Sequence, residues 1–339
     1  MIRFLLRRLV TMVVTLLIIS ALVFFIIKLP PGDFLSNQIA ELRAQGESAS
    51  VAKAEFLIRQ YGLDKPVWQQ YLVWLGIMPG PNGFSGLLQG DWGWSFEFDR
   101  PVGEVVGDAL WLTLVVNLAV VIFIHLVSIP IAIYSATRQY SVGDYIATFI
   151  GYIGLATPSF LLALILLYYM NRWFGVSIGG LYDAQYAGQP WTWGKIQSLL
   201  SHLIVPTLVI GLAGTAAMIR RMRANLLDEL GKQYYVTAKA KGLPPTRALV
   251  KYPFRMSLNP FIADIGNLLP HLISGSILVS LVLSLPTVGP ILLGALKSQD
   301  QFLAGFILMF VAVLTVVGML ISDLLLAWLD PRIRMGGGR

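Results

Sequence analysis

The chain has 339 residues, of which 56% are hydrophobic and only 13% charged, and its mean hydropathy is +0.71. A soluble domain carries about 25% charged residues and a disordered chain needs low hydrophobicity, so both classes are excluded. The sequence contains no cysteine, which excludes disulfides, thiolate metal sites and cysteine nucleophiles. Because the apolar residues are grouped in long blocks, the composition predicts a protein that crosses a membrane several times.

Six apolar segments are predicted to cross the membrane, whose hydrocarbon core requires about 20 residues of α-helix. The first follows three arginines and could be mistaken for a signal peptide. Its apolar run is longer than that of a signal peptide and no A-x-A cleavage site follows, so we expect it to be retained. The six predicted spans are residues 9–27, 110–136, 145–171, 203–218, 260–285 and 304–329.

The distribution of lysine and arginine predicts the orientation of these spans. Six spans place both termini on one side, and the basic residues are concentrated there. Three precede the first span, one is at position 138, nine lie in residues 220–255 and three lie in the C-terminal tail. The positive-inside rule therefore predicts that both termini are cytoplasmic. Topology then explains the net charge of +7, and no nucleic-acid-binding module is recognisable.

Residues 30–108 are predicted to form a small subdomain on the opposite, outer side. An acidic, alanine-rich run over residues 38–58 is helical by composition, and a section rich in aromatic residues and glycine follows it. Trp and Tyr favour the membrane interface, so we expect this section to lie against the membrane. Two roles remain open: a structured loop that closes the outer mouth, or a docking or gating surface for an external partner.

Residues 220–256 form the second long stretch outside the spans. Residues 220–230 can continue the fourth span as a helix, and residues 233–241 are predicted to form a second, short helix. Gly242 is suited to end that helix, and the prolines at 244 and 245 prevent its continuation. Lys239 and Lys241 complement the negative end of the helix dipole. The stretch is either an ordinary basic loop or a protruding helix that another protein binds.

Polar side chains interrupt the fifth predicted span. Asp264, Asn267, His271 and Ser274 are spaced so that all four lie on one face of a helix. An ionisable residue at bilayer depth is costly and usually faces protein or water. The four residues, called the polar stripe below, either line a translocation path or form hydrogen bonds between helices. We favour the path.

Motifs of catalysis are missing from the sequence. It contains no G-x-x-x-x-G-K-[ST] phosphate loop, no H-E-x-x-H pair and no G-x-S-x-G nucleophile turn. The sequence therefore predicts a transport protein that is not an enzyme, has no metal site and does not itself hydrolyse nucleotide.

The protruding segment resembles the coupling loop of bacterial ABC importer permeases, in the form used by the dipeptide/oligopeptide branch. Residues 236–238 depart from the general importer pattern, which has Glu-Ala-Ala there. The matching loop residues are Tyr235, Val236, Thr237, Ala238, Lys239, Ala240, Lys241, Gly242 and Leu243. Further matches follow in the same order along the chain: MIRFLLRRL at the start, PGD at 31–33, YGLDKP at 61–66, QY at 70–71, GDWG at 90–93 with Ser95, TPSF at 157–160 and LDPRIR at 329–334.

The resemblance implies an all-α membrane protein of the type I ABC importer permease class with six transmembrane helices. Its parts would be an N-terminal transmembrane helix (1–29), a periplasmic subdomain (30–108) and a five-helix permease core (109–335) with a cytoplasmic coupling loop (220–256). The chain would lie in the bacterial inner membrane, among lipid. Its partners would be a second homologous permease, two cytoplasmic ATPase subunits and a periplasmic substrate-binding protein. ATP and Mg²⁺ would be used by the ATPases, and this chain would bind no cofactor.

The sequence leaves alternatives open for both the transported cargo and the transport mechanism. The branch transports peptides, but relatives with similar sequences transport oligosaccharides, opine-like conjugates or nickel. A stand-alone ion-coupled carrier would use the buried Asp and His as a proton relay, but no inverted repeat is visible and the protruding helix would then have no role. A structural subunit of a larger membrane complex is a third possibility.

Overall fold

The computed structural model of the chain describes residues 2–30, 32, 34–45, 48–81, 83–174 and 178–329. Within these ranges the description does not extend to the side chains of residues 2–4, 45, 48–50, 53, 54, 174, 264, 267 and 269–271.

The described part of the chain is almost entirely helical, as the composition predicts. Its strands form one antiparallel hairpin, β1 (Trp94–Ser95) with β2 (Arg100–Pro101). Two 3-10 turns (Leu87–Gln89, Ala184–Tyr186) and a π-helical turn (Val250–Phe254) interrupt the α-helices. The α-helices are α1 (Ile2–Ile27), α2 (Phe34–Gln45), α3 (Ser48–Gln60), α4 (Val67–Leu75), α5 (Val102–Thr137), α6 (Val142–Ala156), α7 (Ser159–Phe174), α8 (Trp193–His202), α9 (Ile204–Leu230), α10 (Gln233–Ala240), α11 (Pro245–Leu249), α12 (Arg255–Ser257), α13 (Asn259–Val282), α14 (Val288–Ser298) and α15 (Gln301–Leu329).

Four helical runs among the described residues are long and apolar enough to cross a membrane, which requires about 20 residues. They are Leu5–Ile27 in α1, the whole of α5, the run Trp193–Leu230 formed by α8 and α9, and the whole of α15. These runs contain the first, second, fourth and sixth predicted spans.

The third predicted span is wrong as a continuous helix. The chain bends by 97° between α6 and α7. Pro158, at the break, has no backbone N–H to continue the helix, and its ring disfavours helical backbone at the residue before it. Thr157 is accordingly extended, with a ψ of 119°. If the bent pair counts as one span, the described residues contain five candidate spans.

The fifth predicted span coincides with α13, a helix of 24 residues. The side chains of Asp264, Asn267 and His271 lie outside the described residues, and the apolar stretch that is described, Leu272–Val282, is shorter than a span. The total of six spans therefore stays a prediction.

The chain divides into two compact units, and the described part of one of them, the helical core, comprises residues 2–5, 112–174, 178–287 and 317–329. Its largest apolar cluster includes Leu112, Val116, Val120 and Ile124 of α5. Because these residues recur every four positions, they lie along one face of that helix. Buried side chains of α9 and α13, among them the fully buried Met222, belong to the same cluster.

The other unit, the N-terminal unit, comprises Leu6–Trp111 and Val288–Val316. The run over residues 38–58, predicted to be helical, forms α2 and α3, which pack together and are joined by an Arg43–Glu55 ion pair of 2.9 Å. Leu35, Ile39 and Phe96 form one buried cluster of this unit.

A buried carboxylate joins β1 to the start of α15 within the N-terminal unit. Asp300 accepts hydrogen bonds from the Ser95 hydroxyl (2.7 Å) and from the backbone N–H groups of Glu97 (3.1 Å) and Leu303 (3.2 Å). Asp300 and Ser95 are both 0% exposed. Burial raises the pKa of Asp300 above its ordinary value, although these donors favour the charged form.

Candidate functional site

The protruding segment between α9 and α13 has the local structure that its sequence predicts. α9 continues through residues 220–230, and the short helix predicted over 233–241 is present as α10. Gly242 has a φ of +82°, a left-handed conformation that glycine adopts without steric cost. The N–H of Gly242 donates to the Lys239 carbonyl (2.9 Å), and the N–H of Leu243 donates to the Ala238 carbonyl (3.2 Å). These two bonds are the Schellman pattern, which ends a helix sharply.

The segment has a small hydrophobic cluster of its own. Tyr235 (8% exposed), Ala238 (7%) and Ala248 (0%) are buried, and Leu230, Leu243 and Tyr252 pack around them. The contact of Leu243 with this cluster accompanies the Schellman bonds, as it commonly does. The cluster joins α10 to α11 and to the end of α9, so the segment is a folded loop and not a flexible one.

The nine predicted coupling residues therefore divide into two groups. Tyr235 and Ala238 face inward and Leu243 is half-buried, so these three hold the loop together. The sequence did not separate the two groups, because the helix is too short and too weakly amphipathic to define a face. The outward group is exposed and consists of Val236, Thr237, Lys239, Ala240, Lys241 and Gly242.

The outward surface of the loop is positively charged. Lys239 and Lys241 lie on it, and Lys239 Nζ is 4.6 Å from the centroid of the Tyr235 ring. An open groove of about 490 Å³ next to it is lined by Thr246, Arg247, Val250 and Lys251. The loop therefore offers a helix with an exposed apolar residue, Val236, beside cationic side chains, which suits a partner surface that carries carboxylates.

One acid–tyrosine contact fixes the start of α10. The Tyr234 hydroxyl donates a hydrogen bond to the Glu229 carboxylate at the end of α9. Burial and the neighbouring charge of Glu229 raise the pKa of Tyr234, so the hydroxyl stays protonated and able to donate.

The polar stripe is only partly described. Ser274 is exposed on α13, and the side chains of Asp264, Asn267 and His271 lie outside the described residues. Whether the four side chains line a path is therefore a prediction that the structure leaves untested.

A cavity of about 440 Å³ opens in the helical core beside α13. Leu268, Leu272 and Gly275 of α13 line it, and their spacing places them on one side of that helix. α5, α6, α7 and α9 supply the other walls, which are apolar except for Ser159 and Arg221. The volume is in the range of small-molecule sites.

No group of histidine and acidic side chains suited to hold a metal ion occurs among the residues that the structure describes.

Sequence reasoning missed an ion pair between α6 and α9. Arg223 donates two hydrogen bonds to Asp144, from Nε to Oδ1 (3.0 Å) and from a terminal nitrogen to Oδ2 (2.8 Å). The two residues are 79 positions apart, and the charge count treated each only as a contribution to topology.

Long apolar helices, a cavity among them and a folded basic loop between two of them are the features of an integral membrane transport protein. Comparison with known families agrees with this class. The family described as "Binding-protein-dependent transport system inner membrane component" matches residues 128–335, and its N-terminal companion matches residues 1–130. The chain therefore belongs to the family of binding-protein-dependent transport system inner membrane components. It is a permease subunit, and this membrane subunit is non-catalytic.

Individual relatives match over nearly their whole length. The chain is 35% identical over 334 residues to the oligopeptide transport system permease protein AppB of Bacillus subtilis, covering 97% of this chain and 98% of the relative. It is 29% identical to the dipeptide transport system permease protein DppB of Escherichia coli K12, covering 98% and 99%. The DppB of Lactococcus lactis is 27% identical, with 99% and 100% covered.

Proposed function

We propose that the chain is one of two permeases of an ATP-driven importer that moves peptides or peptide-like solutes across the bacterial inner membrane. The observation that carries this proposal is the folded coupling loop, which presents α10 as an exposed, basic docking helix. The names of relatives that match end to end, oligopeptide and dipeptide permeases, support peptide as the cargo.

The proposed topology has six spans and both termini in the cytoplasm. The bent pair α6–α7 counts as one span and α13 as another, and residues 1–29, 30–108 and 109–335 form the anchor helix, the periplasmic subdomain and the permease core. The concentration of basic residues in 220–255 supports a cytoplasmic coupling loop. A second homologous permease, two ATPase subunits and a periplasmic binding protein complete the complex.

The proposed mechanism is alternating access. The ATPase subunits bind and hydrolyse ATP with Mg²⁺, and they bind the outward surface of α10. The inward cluster of Tyr235, Ala238 and Ala248 makes the loop move as one body. That movement reaches the membrane through α9, because α10 follows it after two residues. The cavity beside α13, together with Asp264, Asn267, His271 and Ser274, would form the chain's share of the path.

Uptake in proteoliposomes tests the proposal. The chain is reconstituted with its co-purifying partners, and the uptake of a labelled dipeptide, a labelled oligopeptide and a labelled oligosaccharide is measured with loaded binding protein. We expect peptide uptake that requires ATP and that stops when the partner ATPase is inactivated. Oligosaccharide uptake in place of peptide uptake would contradict the cargo. Uptake that is independent of ATP would contradict the importer and favour a stand-alone carrier.

A further inference from the structure

The Asp144–Arg223 ion pair lies where the coupling loop joins the membrane helices. Arg223 is in α9 seven residues before its last residue, Leu230, and α10 starts three residues after that end. Met222 and Leu226, which flank Arg223, are both 0% exposed. This part of α9 is thus anchored in the helical core and carries the loop at its end.

The carboxylate of Asp144 holds three pieces of backbone together. It lies in the first turn of α6, it accepts both donors of Arg223, and it accepts the N–H of Tyr140 at 3.0 Å. Tyr140 is in the turn between α5 and α6 and has a φ of +63°, a conformation that L-residues rarely adopt. Asp144 is only 3% exposed. A forked arginine bound to a buried carboxylate fixes orientation as well as distance.

α6 and α9 are antiparallel, and they pack closely from the ion pair toward the C-terminal end of α6. The position of a Cβ on Gly154 is 3.1 Å from Leu212, and that on Gly151 is 3.8 Å from Ala216. Two glycines on α6 therefore let the side chains of Leu212 and Ala216 pack directly on the α6 backbone. The ion pair is the polar end of this contact, and it prevents the two helices from sliding or rotating independently.

α6 leads directly to the bend at Pro158 and to α7, which packs against both α9 and α13. A displacement of α9 by the coupling loop therefore has a short physical route to α13 through α6 and α7. α9 also contacts α7 and α13 directly. The route through α6 adds the α6–α7 bend to the movement only if α6 follows α9, and the bidentate ion pair fixes the orientation of α6 on α9 at the end next to the coupling loop.

We infer that Asp144 and Arg223 are positioning residues that make α6 follow α9, so that movement of the coupling loop is converted into rearrangement of the α6–α7–α13 wall. The inference rests on the proposed function, because it assigns a step within the same transport cycle. Neither residue contacts the solute. Their loss separates ATP hydrolysis from transport instead of abolishing either reaction at its own site.

Asp144→Asn and Arg223→Lys test this role. Both retain hydrogen-bonding capacity and side-chain bulk, but the first removes the charge and the second removes the fork. The number of solute molecules transported per ATP hydrolysed is measured in the assembled complex, together with the thermal unfolding midpoint. Arg220→Lys, one turn away on the same helix and exposed, is the matched control. The Arg220 guanidinium lies 6.0 Å from the centroid of the Tyr152 ring on α6, so this variant alters a contact between α6 and α9 other than the ion pair while it keeps the charge.

We expect both variants to assemble and hydrolyse ATP, with the number of solute molecules transported per ATP reduced about 2- to 30-fold, the range found for mutations that weaken coupling between two sites. The control should keep the wild-type ratio. A merely structural role would reduce the yield or the unfolding midpoint and leave the ratio per assembled complex unchanged, and that result would overturn the inference. A wild-type complex that transports no solute with ATP would contradict the proposed function. A wild-type complex that transports solute, with variants that transport as much per ATP, would contradict only the role of the ion pair.

A covalent cross-link in place of the ion pair tests the same role if either variant assembles poorly. The natural chain has no cysteine, so Asp144→Cys combined with Arg223→Cys introduces the only two thiols of this subunit. A bis-methanethiosulfonate reagent with a short spacer then joins α6 to α9 through reducible bonds. We expect the double variant to lose the transport ratio, to regain it when tethered and to lose it again on reduction. A tether that forms without restoring the ratio would overturn the inference.

Discussion

Two buried aspartates in different regions of the molecule have opposite surroundings. Asp144, in the helical core, is neutralised by the forked guanidinium of Arg223. Asp300, in the N-terminal unit, is contacted by neutral donors from Ser95, Glu97 and Leu303. A charged partner lets a carboxylate remain ionised when buried, whereas neutral donors compensate for the lost hydration only in part. Accordingly, burial raises the pKa of Asp300.

The two carboxylates are suited to different structural roles because their partners lie in different elements. The described partners of Asp300 lie in the β1–β2 hairpin and at the start of α15, so it fixes the hairpin to the start of that helix. Asp144 is bonded to a residue on a different helix, so it fixes the relative position of two long elements. The second arrangement joins two helices that pack against each other, so a displacement of one can be transmitted to the other.

The largest effect is expected when the cation of the ion pair is removed. Arg223→Met leaves the Asp144 carboxylate buried without its counter-charge, which should cost about 3–5 kcal/mol of stability. Thermal unfolding in detergent measures this. The double variant Asp144→Asn with Arg223→Met has no buried charge and should recover part of the loss. A double variant that is less stable than the single one would show that the two side chains do not act as a pair.

A large local effect is expected in the coupling loop. Tyr235→Ala removes the largest side chain of its buried cluster, at a cost of about 3 kcal/mol to the loop. Limited proteolysis of the loop and ATPase retention on purification measure this. Val236→Ala, one residue away and 47% exposed, is the control and should keep the loop resistant. Equal cleavage of both variants would contradict the division into inward and outward residues.

A smaller, pH-dependent effect is expected at the other carboxylate. Asp300→Asn presents an amide N–H₂ group to donors, at a cost of about 1–3 kcal/mol. The pKa of Asp300 is higher in the folded state than its ordinary value. At a pH between these two pKa values, the folded state therefore binds more protons than the unfolded state. The contribution of Asp300 to stability therefore falls as pH rises through that window. The stability difference between wild type and Asp300→Asn should be larger below the window than above it, and the opposite slope would contradict the raised pKa.

The smallest effect is expected at the turn after α10. Gly242→Ala places a Cβ in a left-handed conformation and should cost about 1 kcal/mol, although no atom lies within 4 Å of the added group. Gly231→Ala is the control, because its φ of −80° suits alanine. Hydrogen exchange of the loop amides measures both. Equal protection in the two variants would show that the turn is not held in the conformation described.

The sequence predicted those features that depend on local chemistry. Of the six spans that the apolar runs predicted, four are continuous apolar helices among the described residues. Gly242 with two following prolines predicted the end of α10. Each of these signals is contained in consecutive residues. The bend at Pro158 was missed because proline within an apolar run is compatible with a continuous helix in a membrane. In the structure the preference of Pro158 for an extended residue before it prevails, and Thr157 is extended.

The features that depend on contacts between distant segments were not predictable. Asp144 meets Arg223, and Ser95 meets Asp300, across 79 and 205 positions. Within the coupling loop the inward position of Tyr235 depends on Ala248, which the chain brings back through α11. The role of the polar stripe stays a prediction from helical spacing.

The proposal that the coupling loop transmits movement from the ATPases is tested most directly by ATP-driven uptake. The measurement uses proteoliposomes that contain the complex with Gly242→Pro in this chain. Proline cannot adopt the φ of +82° and removes the N–H that donates to Lys239, so it breaks the end of α10 without touching the membrane helices. We predict that uptake is lost while the ATPases remain bound and hydrolyse ATP. Unchanged uptake, or uptake for which ATP is dispensable, would contradict it.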